Sequence, residues 1–170
     1  MKVELLTNQH CLRYPVGLYI DEAIAFVKKA MRLIITKQLI PDTNISIWCR
    51  GSSGSILAAL LYSELTINNY SNIRIYHIKK PNETSHDNNC SYNDNAYNIV
   101  IDDMVCSGDT IKAIEIVIET NNLSFDCLIV SAMDYKDCDE NVSLKHRPPK
   151  LLITSEHSIR RSMIKHFEAL

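Results

Sequence analysis

The residues most able to do chemistry lie in one run, Ile99-Val100-Ile101-Asp102-Asp103-Met104-Val105-Cys106-Ser107-Gly108-Asp109-Thr110. An apolar strand delivers two adjacent carboxylates, and a short small-residue turn then opens a helix. The first N–H groups of a helix have no partner within it, and its dipole is positive at that end, so the turn suits a phosphate. Gly108 lets the backbone approach closely, and the hydroxyls of Ser107 and Thr110 add donors. Asp102 and Asp103 stand just upstream, where they can accept from vicinal hydroxyls of a sugar. A ligand with a phosphate at one end and a diol a few ångströms away fits this arrangement, and ribose 5-phosphate is such a ligand. An Asp-Asp pair by itself would be an ordinary solvated strand end. The pair followed by the glycine-containing turn is what singles this stretch out.

The elements needed to hold such a site can be read from the apolar pattern. Ile20, Ile24, Val27, Met31, Ile34 and Ile35 recur at helical spacing over residues 20–39, and Pro41 closes that segment. Residues 45–49 form a short buried strand. After Gly51-Ser52-Ser53-Gly54 the run SILAALLYSEL is a helix. Strands follow at 73–78 and 97–101, the latter ending at Asp102 and Asp103. Ile111, Ile114, Val117 and Ile118 mark a helix. Residues 125–133 and 151–154 read as strands, and 156–168 as a terminal helix. Residues 81–98 are rich in Asn, Asp and Ser and read as a solvated loop. Continuously apolar strands alternating with helices predict a doubly wound α/β domain, its mainly parallel sheet covered on both faces. Ligands of such sheets bind beyond the carboxyl ends of the strands. That rule selects residues 50–54, 79–95 and 102–110, which follow three different strands and can converge on one crevice.

The run from Ile99 to Thr110 resembles the signature of the type I phosphoribosyltransferases: an apolar strand, two acidic residues, two aliphatics and a small-residue loop ending in Gly-x-Thr. The resemblance implies that Asp102 and Asp103 hold the ribose 2′- and 3′-hydroxyls, and that Cys106, Ser107, Gly108, Asp109 and Thr110 wrap the 5′-phosphate. Arg50-Gly51-Ser52-Ser53-Gly54 is similar in position and type to the family's pyrophosphate loop. Lys79 and Lys80 resemble the start of the flexible catalytic loop in the orotate and adenine branches, and His86 stands near the place of the orotate-type histidine. Two departures are visible. Glu83-Thr84-Ser85 occupy the place of a second loop lysine. Cys106 stands where the hypoxanthine-guanine branch has the Asp that acts near purine N7, which turns the reading toward the orotate or adenine side.

The resemblance covers roughly residues 44–133. It implies one phosphoribosyltransferase-like domain over 1–170, with a core at about 20–133 and a hood over the base from 1–20 and 134–150. The implied activity is an Mg2+-dependent pentosyl transfer that joins a nucleobase to 5-phosphoribosyl 1-diphosphate, in a homodimer. A non-catalytic regulatory domain that keeps the same ligand is the alternative.

Composition narrows the field from the other side. A chain of 170 residues with 46% hydrophobic and 22% charged residues is long enough to bury a core without disulfides. A net charge of −2 gives no general attraction to nucleic acid or membrane. No basic run precedes an apolar stretch at the N-terminus, so no signal peptide is expected. The six cysteines form no CxxC pair. They read as reduced, mostly buried thiols of a cytoplasmic protein.

Overall fold

The computed structural model describes residues 16–35, 39–80, 90–105, 107–133, 149–154 and 160–162. In chain order the elements are β1 (Val16–Leu18), α1 (Ile20–Ile35), β2 (Ile45–Cys49), α2 (Gly51–Ile67), β3 (Ile73–His77), β4 (Tyr97–Val105), α3 (Asp109–Thr120), β5 (Cys127–Met133), β6 (Leu151–Thr154) and β7 (Arg160–Ser162). Five strands form a parallel sheet in the order β3-β2-β4-β5-β6, and β1 pairs antiparallel with β7 in a separate two-stranded sheet. The expected doubly wound α/β architecture is present. Among the described residues no helix is long and apolar enough to cross a membrane.

Alternation along the strands assigns the two faces. Ile45, Ile47, Ile99, Ile101 and Ile129 join one cluster with Phe26, Val27 and Ile34 of α1 and Leu57, Leu61 and Leu65 of α2. Trp48, Val100, Leu128 and Val130 join another with Ile111, Ile114 and Ile118 of α3. Thus α1 and α2 cover one face and α3 the other. The chain winds outward from β2 to β3 and in the opposite sense from β4 to β6. The order reverses between β2 and β4, and such a switch point leaves a crevice where the two following loops part.

Two helices stop by the same device. Asn69 and Asn122 have φ of 67° and 55°, the left-handed region that Asn tolerates better than most residues. After α2 the N–H of Tyr70 donates to Leu65 O and that of Asn69 to Thr66 O; after α3, Leu123 donates to Ile118 O and Asn122 to Glu119 O. These bonds satisfy the last carbonyls, and each pair of apolar residues packs into its core cluster.

Several sequence expectations need correction. The stretch 156–168 is not a continuous helix, because Arg160–Ser162 is a strand paired with Val16–Leu18. α1 is described over Ile20–Ile35 and does not include Leu39, and α2 begins at Gly51 rather than after Gly54. β4 runs through Asp102 and Asp103 to Val105, since the backbone of Met104 and Val105 still pairs with β5. The end of the polar stretch is packed: Tyr92 stacks on Trp48 at 5.5 Å between ring centroids, and Ser91 O accepts from the Tyr76 hydroxyl at 3.1 Å.

Candidate active site at the switch point

Asp102 and Asp103 lie in the last part of β4, 6% and 4% exposed. Successive side chains of a strand point to opposite faces, and of the two it is Asp102 that lines the hollow beyond β4. The Asp103 N–H donates to Asp102 Oδ1 at 2.9 Å, which fixes that carboxylate against its own backbone. The Ser131 hydroxyl on β5 donates to the Asp103 carbonyl. Sequence reading missed Ser131; its signal was a lone hydroxyl in the apolar run CLIVSAM.

Beyond β4 the chain turns through Ser107 and Gly108 into α3. Gly108 caps the helix with φ of 79°, a conformation costly for a residue with a Cβ. Asp102, Met104, Ser107, Gly108, Asp109 and Thr110 line a hollow of about 110 Å³. Met104, near the end of β4, is half-buried and lines this hollow. Ser107 Oγ donates to Asp109 Oδ2 at 2.9 Å.

The loop after β2 closes the other side. Arg50 precedes α2 in an extended conformation, and Gly51, with φ of +73°, starts the helix. Ser52 and Ser53 fall in the first turn, so their N–H groups belong to the helix start. The Ser55 hydroxyl donates to Gly51 O at 2.7 Å and steadies the turn. Gly54 sits against β4: a Cβ there would lie 3.5 Å from Ile101 O and 3.6 Å from Asp102 Oδ1. The Cys49 thiol is held above its ordinary value by burial, and the Asp102 charge pushes the same way. It remains a neutral thiol at physiological pH.

The third segment follows β3. Ile78 N–H donates to Cys49 O at 2.9 Å, tying the strand's exit to the end of β2. A Cβ on Gly51 would lie 3.6 Å from Lys80 Cε and 3.7 Å from Lys80 Nζ, so the Lys80 side chain lies over the Arg50–Gly54 turn. Lys79 is half-buried beside it in the chain. Arg50 reaches the opposite wall, its Nη1 donating to Asp109 O at 3.4 Å. Its Nε is buried and finds no acceptor among the described residues.

Of the residues selected from sequence, Lys80, Arg50, Gly51, Asp102, Ser107, Gly108, Asp109 and Thr110 are joined by these contacts. Asp103, Lys79, Ser52 and Ser53 adjoin them in the chain. Cys106 and His86 lie outside the described residues.

The arrangement is a doubly wound sheet whose switch point brings the acidic end of β4, two helix starts and the Arg50 and Lys80 side chains together. Solved structures with the same architecture are type I phosphoribosyltransferases, and this chain has their fold. A hypoxanthine phosphoribosyltransferase from Trypanosoma cruzi, complexed with IMP, matches with a TM-score of 0.59 at 11% identity over 86% of this chain and 74% of that one. The adenine phosphoribosyltransferase of Saccharomyces cerevisiae matches with 0.56 at 12% identity over 79% and 76%. A hypoxanthine-guanine phosphoribosyltransferase from Bacillus anthracis matches with 0.53 at 13% identity over 86% and 85%. No family model and no curated protein matches the sequence.

Proposed function

We propose that this chain is a nucleobase phosphoribosyltransferase, transferring the phosphoribosyl group of 5-phosphoribosyl 1-diphosphate to a ring nitrogen with release of diphosphate. The observation that carries the reading is the meeting of three sequence-distant segments: Lys80 lies over Gly51, Arg50 reaches Asp109 O, and Gly54 backs onto Asp102. Each segment matches one part of the ligand. The Ser107–Thr110 turn takes the 5′-phosphate, Asp102 and Asp103 take the ribose hydroxyls, and the Arg50–Ser53 turn with Lys80 takes the diphosphate. The C1–O bond breaks as the base nitrogen bonds to C1, and the electron pair leaves with the diphosphate.

Positive charge grows on the ribose ring and negative charge on the leaving group. Asp102 and Asp103 supply a negative field beside the ring, while Arg50, Lys80 and the helix N–H groups stabilise the departing diphosphate. Two adjacent carboxylates beside phosphate-binding turns are an oxygen donor set suited to Mg2+, which keeps much of its shell from ligand and water. Asp102 and Asp103 would hold it, through substrate hydroxyls and water. Bound there, it would offset diphosphate charge.

The remaining parts of the proposal have their own support. One domain over 1–170, with a hood from 1–20 and 134–150, is part of the same proposal; most of both hood segments lies outside the described residues. Orotate or adenine is the base the Lys79-Lys80 pair favours. The outward face of α2 exposes Ile56, Tyr62 and Ile67 and carries no charge among its exposed residues. An uncharged face suits an isologous homodimer, where like residues approach like. Cys49 and Cys127 are buried free thiols, in keeping with a cytoplasmic setting.

The test is diphosphate release from 5-phosphoribosyl 1-diphosphate and Mg2+ with orotate, uracil, adenine, guanine or hypoxanthine. Release with one base supports the enzyme. Binding of the sugar diphosphate without release for any base would turn the reading to a regulatory domain, and absence of binding would reject both.

A further inference from the structure

Asp109 places a carboxylate where the proposed function requires an anion to enter. Its Oδ2 accepts the Ser107 hydroxyl at 2.9 Å, and the Asp109 N–H donates to Ser107 Oγ at 3.4 Å. Both residues line the same hollow as Gly108, Thr110 and Asp102. A serine hydroxyl has one proton to donate, and here it is spent on Asp109. The carboxylate also sits in the first turn of α3, where the helix dipole favours a negative charge. It therefore occupies, from within the chain, the field and the hydroxyl that a phosphate would use.

We infer that Asp109 is a built-in competitor for the phosphate end of the ligand, a specificity-determining residue that weakens capture of phosphate monoesters. This rests on the phosphoribosyl reading of the site. A phosphate entering the hollow meets a like charge within a few ångströms and a hydroxyl already engaged. Ligands held only by that phosphate are disfavoured. Ligands that also reach Asp102, Asp103 and the Arg50–Ser53 turn have other contacts to offset the repulsion. The guanidinium of Arg50, anchored on the Asp109 carbonyl at 3.4 Å, ties the competitor to the diphosphate side.

The test is calorimetric titration of ribose 5-phosphate and of Mg2+–5-phosphoribosyl 1-diphosphate into the wild-type chain, Asp109→Asn, Asp109→Ala, Ser107→Ala and the Asp109→Ala/Ser107→Ala double variant. Like charges at this separation in a water-like medium predict about a tenfold tightening of both ligands in Asp109→Asn. The gain should shrink between 0.01 M and 1 M salt as screening shortens from about 30 Å to about 3 Å. Ser107→Ala should cost little alone but weaken binding when Asp109 is already Ala, because the hydroxyl is then free to donate. Asp109→Asn binding with equal or lower affinity, with only its melting temperature lowered, would make Asp109 a helix cap and overturn the inference while leaving the site reading intact. If the wild type and every variant fail to bind either ligand, the site reading fails and the inference falls with it.

Discussion

The central strand β4 buries polar groups at both ends, and the ends are treated differently. At the amino end, the Asn98 N–H donates to Asp126 Oδ2 at 2.9 Å, and Asn98 Oδ1 accepts from Trp48 Nε1 at 2.8 Å. Asp126 also accepts from Ser124 and pairs with Lys150 at 2.8 Å. Charge there meets opposite charge or a donor, and the network ties β2, β4 and β5 together. At the carboxyl end, Asp102 and Asp103 are adjacent in the chain and both buried. Two glycines hold positive φ, and a buried guanidinium nitrogen of Arg50 has no acceptor among the described residues. One end spends its polar groups on the fold. The other leaves acidic and basic side chains around a hollow that the Ser107–Thr110 turn lines, which is where a ligand can be held.

Substitutions at the two ends should therefore separate stability from binding. The largest effect is expected from Asp102→Asn with Asp103→Asn. Losing the charge beside the ribose should lower kcat/KM for 5-phosphoribosyl 1-diphosphate by about 100-fold or more, by analogy with removal of electrostatic stabilisers elsewhere. Melting should change far less than turnover, because an amide oxygen at position 102 can still accept the backbone N–H that follows it. Normal turnover in this variant would break the comparison. Asp126→Ala should do the reverse. Stranding the Asn98 N–H costs about 2 kcal/mol by denaturant titration, with ligand affinity unchanged. A drop in affinity would show that the two ends are coupled.

Smaller effects sharpen the carboxyl end. Gly51→Ala forces a Cβ into the left-handed region and should cost about 1 kcal/mol, with a weaker grip on diphosphate. Gly54→Ala meets only ordinary contacts at 3.5–3.6 Å, so its stability change should stay within about 0.5 kcal/mol. Equal losses at both glycines would contradict the backbone argument.

The smallest effect at neutral pH lies at the amino end of β5. Burial, reinforced by the Asp126 charge, raises the Cys127 thiol from 9.0 to about 12. The unfolded thiol ionises first, so the folded state loses stability as pH rises from 9 toward about 12, and none below 9. Urea midpoints measured across that range should fall, and Cys127→Ala should flatten the fall. An identical slope in the variant would remove Cys127 from the account.

The carboxyl end was the more legible of the two in sequence. Asp102, Asp103 and Gly108 are contiguous, so their chemistry could be read without knowing the fold. The contacts that unite the site were not legible, because Lys80 over Gly51 and Arg50 on Asp109 exist only once β2, β3 and β4 are side by side. The strand through Asp102 was cut short in sequence because Asp disfavours strands, yet backbone pairing with β5 carries it on to Val105. The helical spacing of 156–168 misled for a related reason: pairing of Arg160–Ser162 with Val16–Leu18 is non-local and overrides a local pattern. At the amino end, the role of Asn98 was invisible, since its partners Trp48 and Asp126 are 50 and 28 residues away.

The most direct measurement is a crystal structure with 5-phosphoribosyl 1-diphosphate and Mg2+ bound. The account predicts the 5′-phosphate in the hollow lined by Ser107 and Thr110, the ribose hydroxyls on Asp102 and Asp103, and the diphosphate between Gly51 and Lys80. A ligand seated instead at the amino end of the sheet, among Asn44, Asn72 and Arg74, or one turned away from both carboxylates, would contradict it.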